Sequence, residues 1–168
     1  VKTLLVLRHA KSSWDEASLD DHDRPLAPRG RKALPLLARH LQHRVTPPEL
    51  VLCSSAERAR ETLAGVARAL GGPRVEIEGA LYMAGADSLL DRLRSLPADT
   101  GVVMLVGHNP GLQSLVLALA SEGDALGEVR AKFATGALAT IELDVDTWAD
   151  VAPGTGRLTG LVTPRALR

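Results

Sequence analysis

The sequence predicts an α/β chain, a three-layer α/β/α sandwich around a mostly parallel central sheet. Two observations carry this. Short, wholly apolar runs of strand length alternate with segments that show one apolar helical stripe. Three of those runs also end in chemically active residues: Arg8-His9, Ser54-Ser55 and Gly107-His108. Strands this apolar are buried on both faces, as in parallel sheets. Open α/β sheets hold their ligands at the C-terminal strand ends.

The first strand is read over residues 2–7, ending at Arg8-His9. A polar stretch from Lys11 to Pro28 follows, long for a loop and therefore a functional candidate. Leu34, Leu37, Ala38 and Leu41 mark a helix over 29–43, with Pro35 inside it. Glu49 to Cys53 reads as the second strand. Ser54 and Glu57 then form a capping box, Ser54 as N-cap and Glu57 at N3, for a helix to about Leu70. Gly71-Gly72-Pro73 stops it. Val75 to Ile77 is a short strand and Asp87 to Leu96 a short helix. Val102 to Val106 is the fourth strand; Asn109 as N-cap and Pro110 at N1 open the next helix, carried by Leu112, Leu115, Val116 and Leu119. Residues 122–136 suggest a short helix in a long connection. Ala137 to Leu143 and Leu158 to Val162 read as closing strands. No repeat or linker interrupts residues 1–168, so one domain is expected.

Composition narrows the function classes. Lys+Arg equals Asp+Glu at 20 each, so nothing indicates general nucleic-acid or anionic-membrane affinity. No apolar run approaches the ~20 residues of a membrane span, and the N-terminal run does not read as a signal peptide. The single cysteine excludes an intrachain disulfide and a cysteine zinc cluster and fits a cytoplasmic location. Trp14, Tyr82, Phe133 and Trp148 are the only aromatic residues, so base-stacking platforms are not expected. Oligomeric state is left open.

If the three strands are parallel, their ends share one rim. Two imidazoles (His9, His108), two guanidiniums (Arg8, Arg58) and two helix N-termini then converge. Helix N-termini attract anions, and guanidinium forks match phosphate oxygens. One histidine can attack phosphorus while the other donates to the equatorial oxygens. Any one of these residues alone has an ordinary structural explanation; recurrence at three strand ends is what points to phosphoryl chemistry.

Leu7-Arg8-His9-Ala10-Lys11 resembles the Arg-His-Gly signature of the histidine phosphatase superfamily, with Ala10 in place of glycine. Ser54 to Thr62 resembles that superfamily's Ser-x-x-x-Arg-Ala-x-x-Thr segment, and Val106-Gly107-His108-Asn109-Pro110 its second-histidine motif. Asp23-Arg24-Pro25-Leu26-Ala27-Pro28-Arg29-Gly30 is similar to the post-signature segment of the SixA-type phosphohistidine phosphatases. The resemblance implies a phosphoglycerate mutase-like fold. It makes His9 the nucleophile, Arg8 and Arg58 the phosphoryl clamp, and His108 the group that completes the pocket, with Ser54 beside the phosphate. It implies no metal and no cofactor. Arg60, about 200° around the helix from Arg58, faces elsewhere. His9 must be neutral, with its other ring nitrogen held by a hydrogen bond.

Superfamily mutases and many phosphomonoesterases carry an acidic proton donor after the third strand. The corresponding stretch here, Gly79 to Gly85, has no carboxylate. That favours phosphohistidine in a protein over an alkyl phosphate; Asp20, Asp23 or Asp87 remain proton sources for the alternative, a small phosphate ester. A second function class is a non-catalytic phosphate-binding module on the same fold. A cysteine phosphatase is excluded, because Cys-x5-Arg would require arginine at position 59, which is Ala. Asp144-Val145-Asp146 lacks the threonine two residues on that an aspartyl phosphatase needs. His40 and His43 share a helix face without a third metal ligand. The roles of Ala10 and Lys11 are not explained by the motif.

Overall fold

A computed structural model describes residues 1–168. Seven strands form one sheet: β1 (Lys2–Arg8), β2 (Leu50–Ser54), β3 (Arg74–Glu78), β4 (Val102–Gly107), β5 (Ala120–Glu122), β6 (Leu138–Leu143) and β7 (Gly156–Val162). Their order is β3-β2-β4-β1-β6-β7-β5. β3, β2, β4 and β1 run parallel. β6 is antiparallel to both β1 and β7, and β5 pairs parallel with β7.

Five helices cover the sheet: α1 (Pro28–Arg44), α2 (Glu57–Val66), α3 (Ala86–Arg94), α4 (Gly111–Leu119) and α5 (Leu126–Ala131). Alternation along the strands divides the core. Leu5, Leu7, Val51, Cys53, Met104 and Val106 meet the stripes of α1 and α2. Leu4, Val6, Leu52, Val103 and Leu105 meet α3, α4 and α5. The central strands are buried on both faces, which is why they read as unbroken apolar runs. No helix is long and apolar enough to cross a membrane.

The sandwich and most of its elements match the expectation, within a residue or two at their ends. Three local readings are corrected. Ser54 is not an N-cap: β2 runs through it, α2 starts at Glu57 with Ala56 as N-cap, and no side chain caps that end. The Ser54 hydroxyl instead accepts from the Ala56 N–H at 3.2 Å. At α4 the helix begins at Gly111 with Pro110 as N-cap, while Asn109 Oδ1 accepts from the Gln113 N–H. A Cβ at Gly111 would overlap the Ala84 carbonyl, so only glycine lets this helix end approach the loop after β3. Finally, β5 was not read from the sequence; it is three residues long and follows α4 without a break.

Register fixes the site. Arg8 pairs with Gly107 across β1 and β4, and Cys53 pairs with Val106 across β2 and β4. The residues that follow, His9, Ser54 and His108, therefore emerge side by side on one rim. The His9 N–H donates to the Gly107 carbonyl at 3.1 Å, and the Gly136 N–H closes onto the carbonyls of Arg8 and His9.

Candidate active site

His9 is the first residue beyond β1 and is buried. Its Nδ1 lies 2.7 Å from the Ala10 carbonyl oxygen. A carbonyl only accepts, so Nδ1 carries the proton and Nε2 keeps its lone pair. That lone pair accepts from Arg58 Nε at 3.4 Å. Burial pushes the His9 pKa down to about 3; the Ala10 bond opposes this, and the neighbouring His108, Arg58 and Arg8 add to it. The imidazole is neutral at ordinary pH, in the tautomer that attack requires.

Arg58 sits in the first turn of α2 and is 3% exposed. Nη1 donates to the Asp21 carbonyl at 2.6 Å and Nη2 to Asp21 Oδ2 at 2.9 Å. Arg60 points away, paired with Glu57 at 2.7 Å, as expected from the helical angle. Arg8 donates from Nη1 to the Phe133 carbonyl at 3.0 Å, and its buried Nε has no partner in the chain. Burial, and then Arg58, hold the Arg8 pKa below its ordinary value.

His108 follows β4, its ring centroid 5.3 Å from that of His9. Its Nε2 lies 2.7 Å from Ser54 Oγ. The Ser54 hydroxyl is fully buried and already accepts from Ala56, so the one place for its own proton is His108 Nε2. That leaves the proton of His108 on Nδ1, which is buried and unpartnered. Burial first, then Arg58, lowers the His108 pKa to about 4. Ser54, expected beside the phosphate, is spent on orienting His108.

The structure brings together His9, Arg8, Arg58 and His108. None of the four hydrogen-bonds or ion-pairs with Asp20, Asp23 or Asp87; Asp23 lies 3.5 Å from His22 Nδ1. The carboxylate that arrives is Asp21, from the short turn Asp21–Asp23 in the long β1–α1 loop. Tyr82, from the stretch after β3, donates its hydroxyl to Asp21 Oδ2 and stands edge-on to His108, centroids 5.5 Å apart. The Tyr82 bond, with Arg58, holds the Asp21 pKa below the usual carboxylate range, and the same bond raises that of Tyr82. His22 packs against Tyr82 and bonds Ser55 Oγ at 2.8 Å. Sequence reasoning missed Asp21, His22 and Tyr82. A loop carries the first two, and only the unusual length of that loop signalled them.

Two further residues brace the cage. The Thr62 hydroxyl accepts from the Ala10 N–H at 3.0 Å and donates to the Arg58 carbonyl at 2.8 Å, tying the segment after β1 to α2. Ala10 itself is 1% exposed, its methyl packed into the core beneath α1 and α2, which explains a side chain where the motif has none. Cys53 is buried, with burial pushing its pKa up to about 12, so it supplies no thiolate. No group of three or more His, Cys, Asp or Glu converges in metal-holding geometry.

Known proteins are similar to this chain in sequence and fold. Residues 4–82 match the family model described as histidine phosphatase superfamily (branch 1). An uncharacterized protein of Mycobacterium tuberculosis is 34% identical over 163 residues, covering 95% of this chain and 100% of the relative. Among solved structures, a proposed phosphohistidine phosphatase SixA from Nakamurella multipartitia is 30% identical with a TM-score of 0.85, over 97% of this chain and 96% of that one. The protein histidine phosphatase SixA complexed with tungstate is 25% identical with a TM-score of 0.78, over 99% of each chain. The chain belongs to the histidine phosphatase superfamily, in its SixA-type branch, and is a phosphatase.

Proposed function

We propose that this phosphatase removes the phosphoryl group from phosphohistidine in a protein, by way of a phosphohistidine intermediate on His9 and without a metal. The observation that carries the reading is the His9 Nδ1–H bond to Ala10, which leaves a neutral Nε2 lone pair beside Arg58. Around it, Arg8 Nε and His108 Nδ1 are buried donors without partners in the chain. Unsatisfied buried donors are costly, and phosphoryl oxygens satisfy both. Arg8 and Arg58 supply the positive charge that a metal supplies elsewhere.

In the first step His9 Nε2 attacks phosphorus and the substrate's P–N bond breaks. A phosphoimidazole protonated on its far ring nitrogen departs as neutral imidazole, so no proton has to reach the departing nitrogen. In the second step water attacks the His9 phosphoryl group; the N–P bond breaks, phosphate carries the water oxygen, and His9 is restored. His108 Nδ1–H and the two guanidiniums hold the three equatorial oxygens in both steps. Asp21 is ionised and bound to Arg58, so it positions the guanidinium and has no proton to give.

One observation favours the small phosphate ester as a second reading. Tyr82 places a hydroxyl at the stretch where the family's acid belongs, hydrogen-bonded to a carboxylate. Such a pair can protonate an alkoxide. The test compares a phosphohistidine protein, a phosphoserine peptide and sugar phosphates at matched concentration, with EDTA present. The expected result is kcat/KM highest for the phosphohistidine protein. A sugar phosphate ahead by orders of magnitude would replace the substrate, and loss of activity in EDTA would overturn the metal-free mechanism.

A further inference from the structure

Lys11, which the signature leaves unexplained, lines a half-open cavity of about 500 Å³ that is separate from the phosphate cage. Four segments build it: the loop after β1, the first turn of α1, the end of α5 with the loop that follows, and the turn after β7. They bring five cationic side chains, Lys11, Arg29, Lys132, Arg165 and Arg168, against one acidic side chain, Glu128. A chain of zero net charge concentrates positive charge here.

None of the five is spent on an ion pair. The protein's ten ion pairs are made by other residues throughout. The first turn of α1 carries no acidic residue, and this helix is 17 residues long, so its positive end adds to the field. Its approach is fixed. The Ala27 N–H donates to the Lys11 carbonyl at 2.9 Å, and a Cβ at Gly30 would overlap that same carbonyl. The Thr135 hydroxyl lines the cavity and makes no hydrogen bond within the chain.

We propose that this cavity is a second anion site, for a compact ligand bearing several phosphate groups. The volume suits a small molecule. Five cations from four segments match several phosphates rather than one, and unpaired guanidiniums bind phosphate in two-pronged fashion. No aromatic residue lines the wall, so the ligand is held by its phosphates and not by a nucleobase. Ala10 belongs to the same wall and its carbonyl holds the His9 Nδ1 proton, so the site backs directly onto the nucleophile.

Tripolyphosphate is the probe, measured by calorimetry on the intact protein with tungstate saturating the phosphate cage. One-to-one binding is expected, within about twofold of that without tungstate, weakened at least about tenfold in K132E/R165E and less in K132Q/R165Q. Aryl phosphate turnover and the melting temperature of the two variants serve as folding controls, and neither should change. Binding that disappears under tungstate, or that K132E/R165E leaves intact, would overturn the site. A hexaglutamate peptide that displaces tripolyphosphate at equal concentration would overturn the small-ligand assignment in favour of an acidic protein segment.

Discussion

His9 donates its Nδ1 proton to the carbonyl of Ala10, its immediate neighbour, at 2.7 Å. In the proposed mechanism that bond decides which nitrogen attacks phosphorus, and burial keeps the ring neutral. The pH behaviour follows. With His9 held to about 3 and His108 to about 4, kcat/KM corrected for substrate ionisation stays level through pH 6.5. It falls only as the pH approaches about 4. An acid limb centred near 6.5 would mean an ordinary, solvated histidine.

The same lowered values make stability pH-dependent in a definite direction. Folded His9 and His108 are neutral, whereas the unfolded chain protonates them below about 6.5. Their contribution is complete above that value and is lost as the pH falls toward about 4 and about 3. Urea unfolding between pH 7.5 and 4.5 should show a falling midpoint, and His108→Asn should flatten part of the slope.

Thr62 joins the segment after β1 to α2 through one buried hydroxyl. Thr62→Val keeps the shape but leaves the Ala10 N–H without an acceptor, at a cost of about 1–3 kcal/mol. Denaturant unfolding reads that loss. Because Ala10 also holds His9, kcat should fall with stability, and Thr62→Ser should restore both.

Much of this site was legible in sequence because parallel strands place consecutive residues on a common rim. Arg8-His9, Ser54 and Gly107-His108 share that rim through backbone register alone. Arg58 followed from its match to the motif arginine, and the helical offset turned Arg60 away from it. Ser54 was misread because a Ser-x-x-Glu pattern describes a cap only when the serine leaves the strand; here β2 continues and the hydroxyl serves His108. Asp21 was invisible for a different reason. It reaches Arg58 across 37 residues from a loop whose path no periodicity encodes.

Asp21 is ionised and grips Arg58. Asp21→Asn removes the charge and keeps the size. The guanidinium is then less well aimed, so kcat should fall roughly tenfold. The cage gains net positive charge, so inhibition by orthophosphate should not weaken. A rise in KM with kcat unchanged would make Asp21 a substrate-binding residue instead.

Tyr82→Phe separates the two leaving-group chemistries. Departing imidazole needs no proton from the enzyme, so turnover of the phosphohistidine protein should change by less than about threefold, whereas alkyl phosphates should lose about 100-fold or more. Equal losses on both substrates would give Tyr82 a general role in holding Asp21.

Rapid-quench trapping with substrate labelled in the phosphoryl group tests the central assignment directly. The expected result is label on His9, stable in base and released by acid, present in wild type and absent in His9→Ala together with activity. Label on another residue, or turnover by His9→Ala at the wild-type rate, would contradict it.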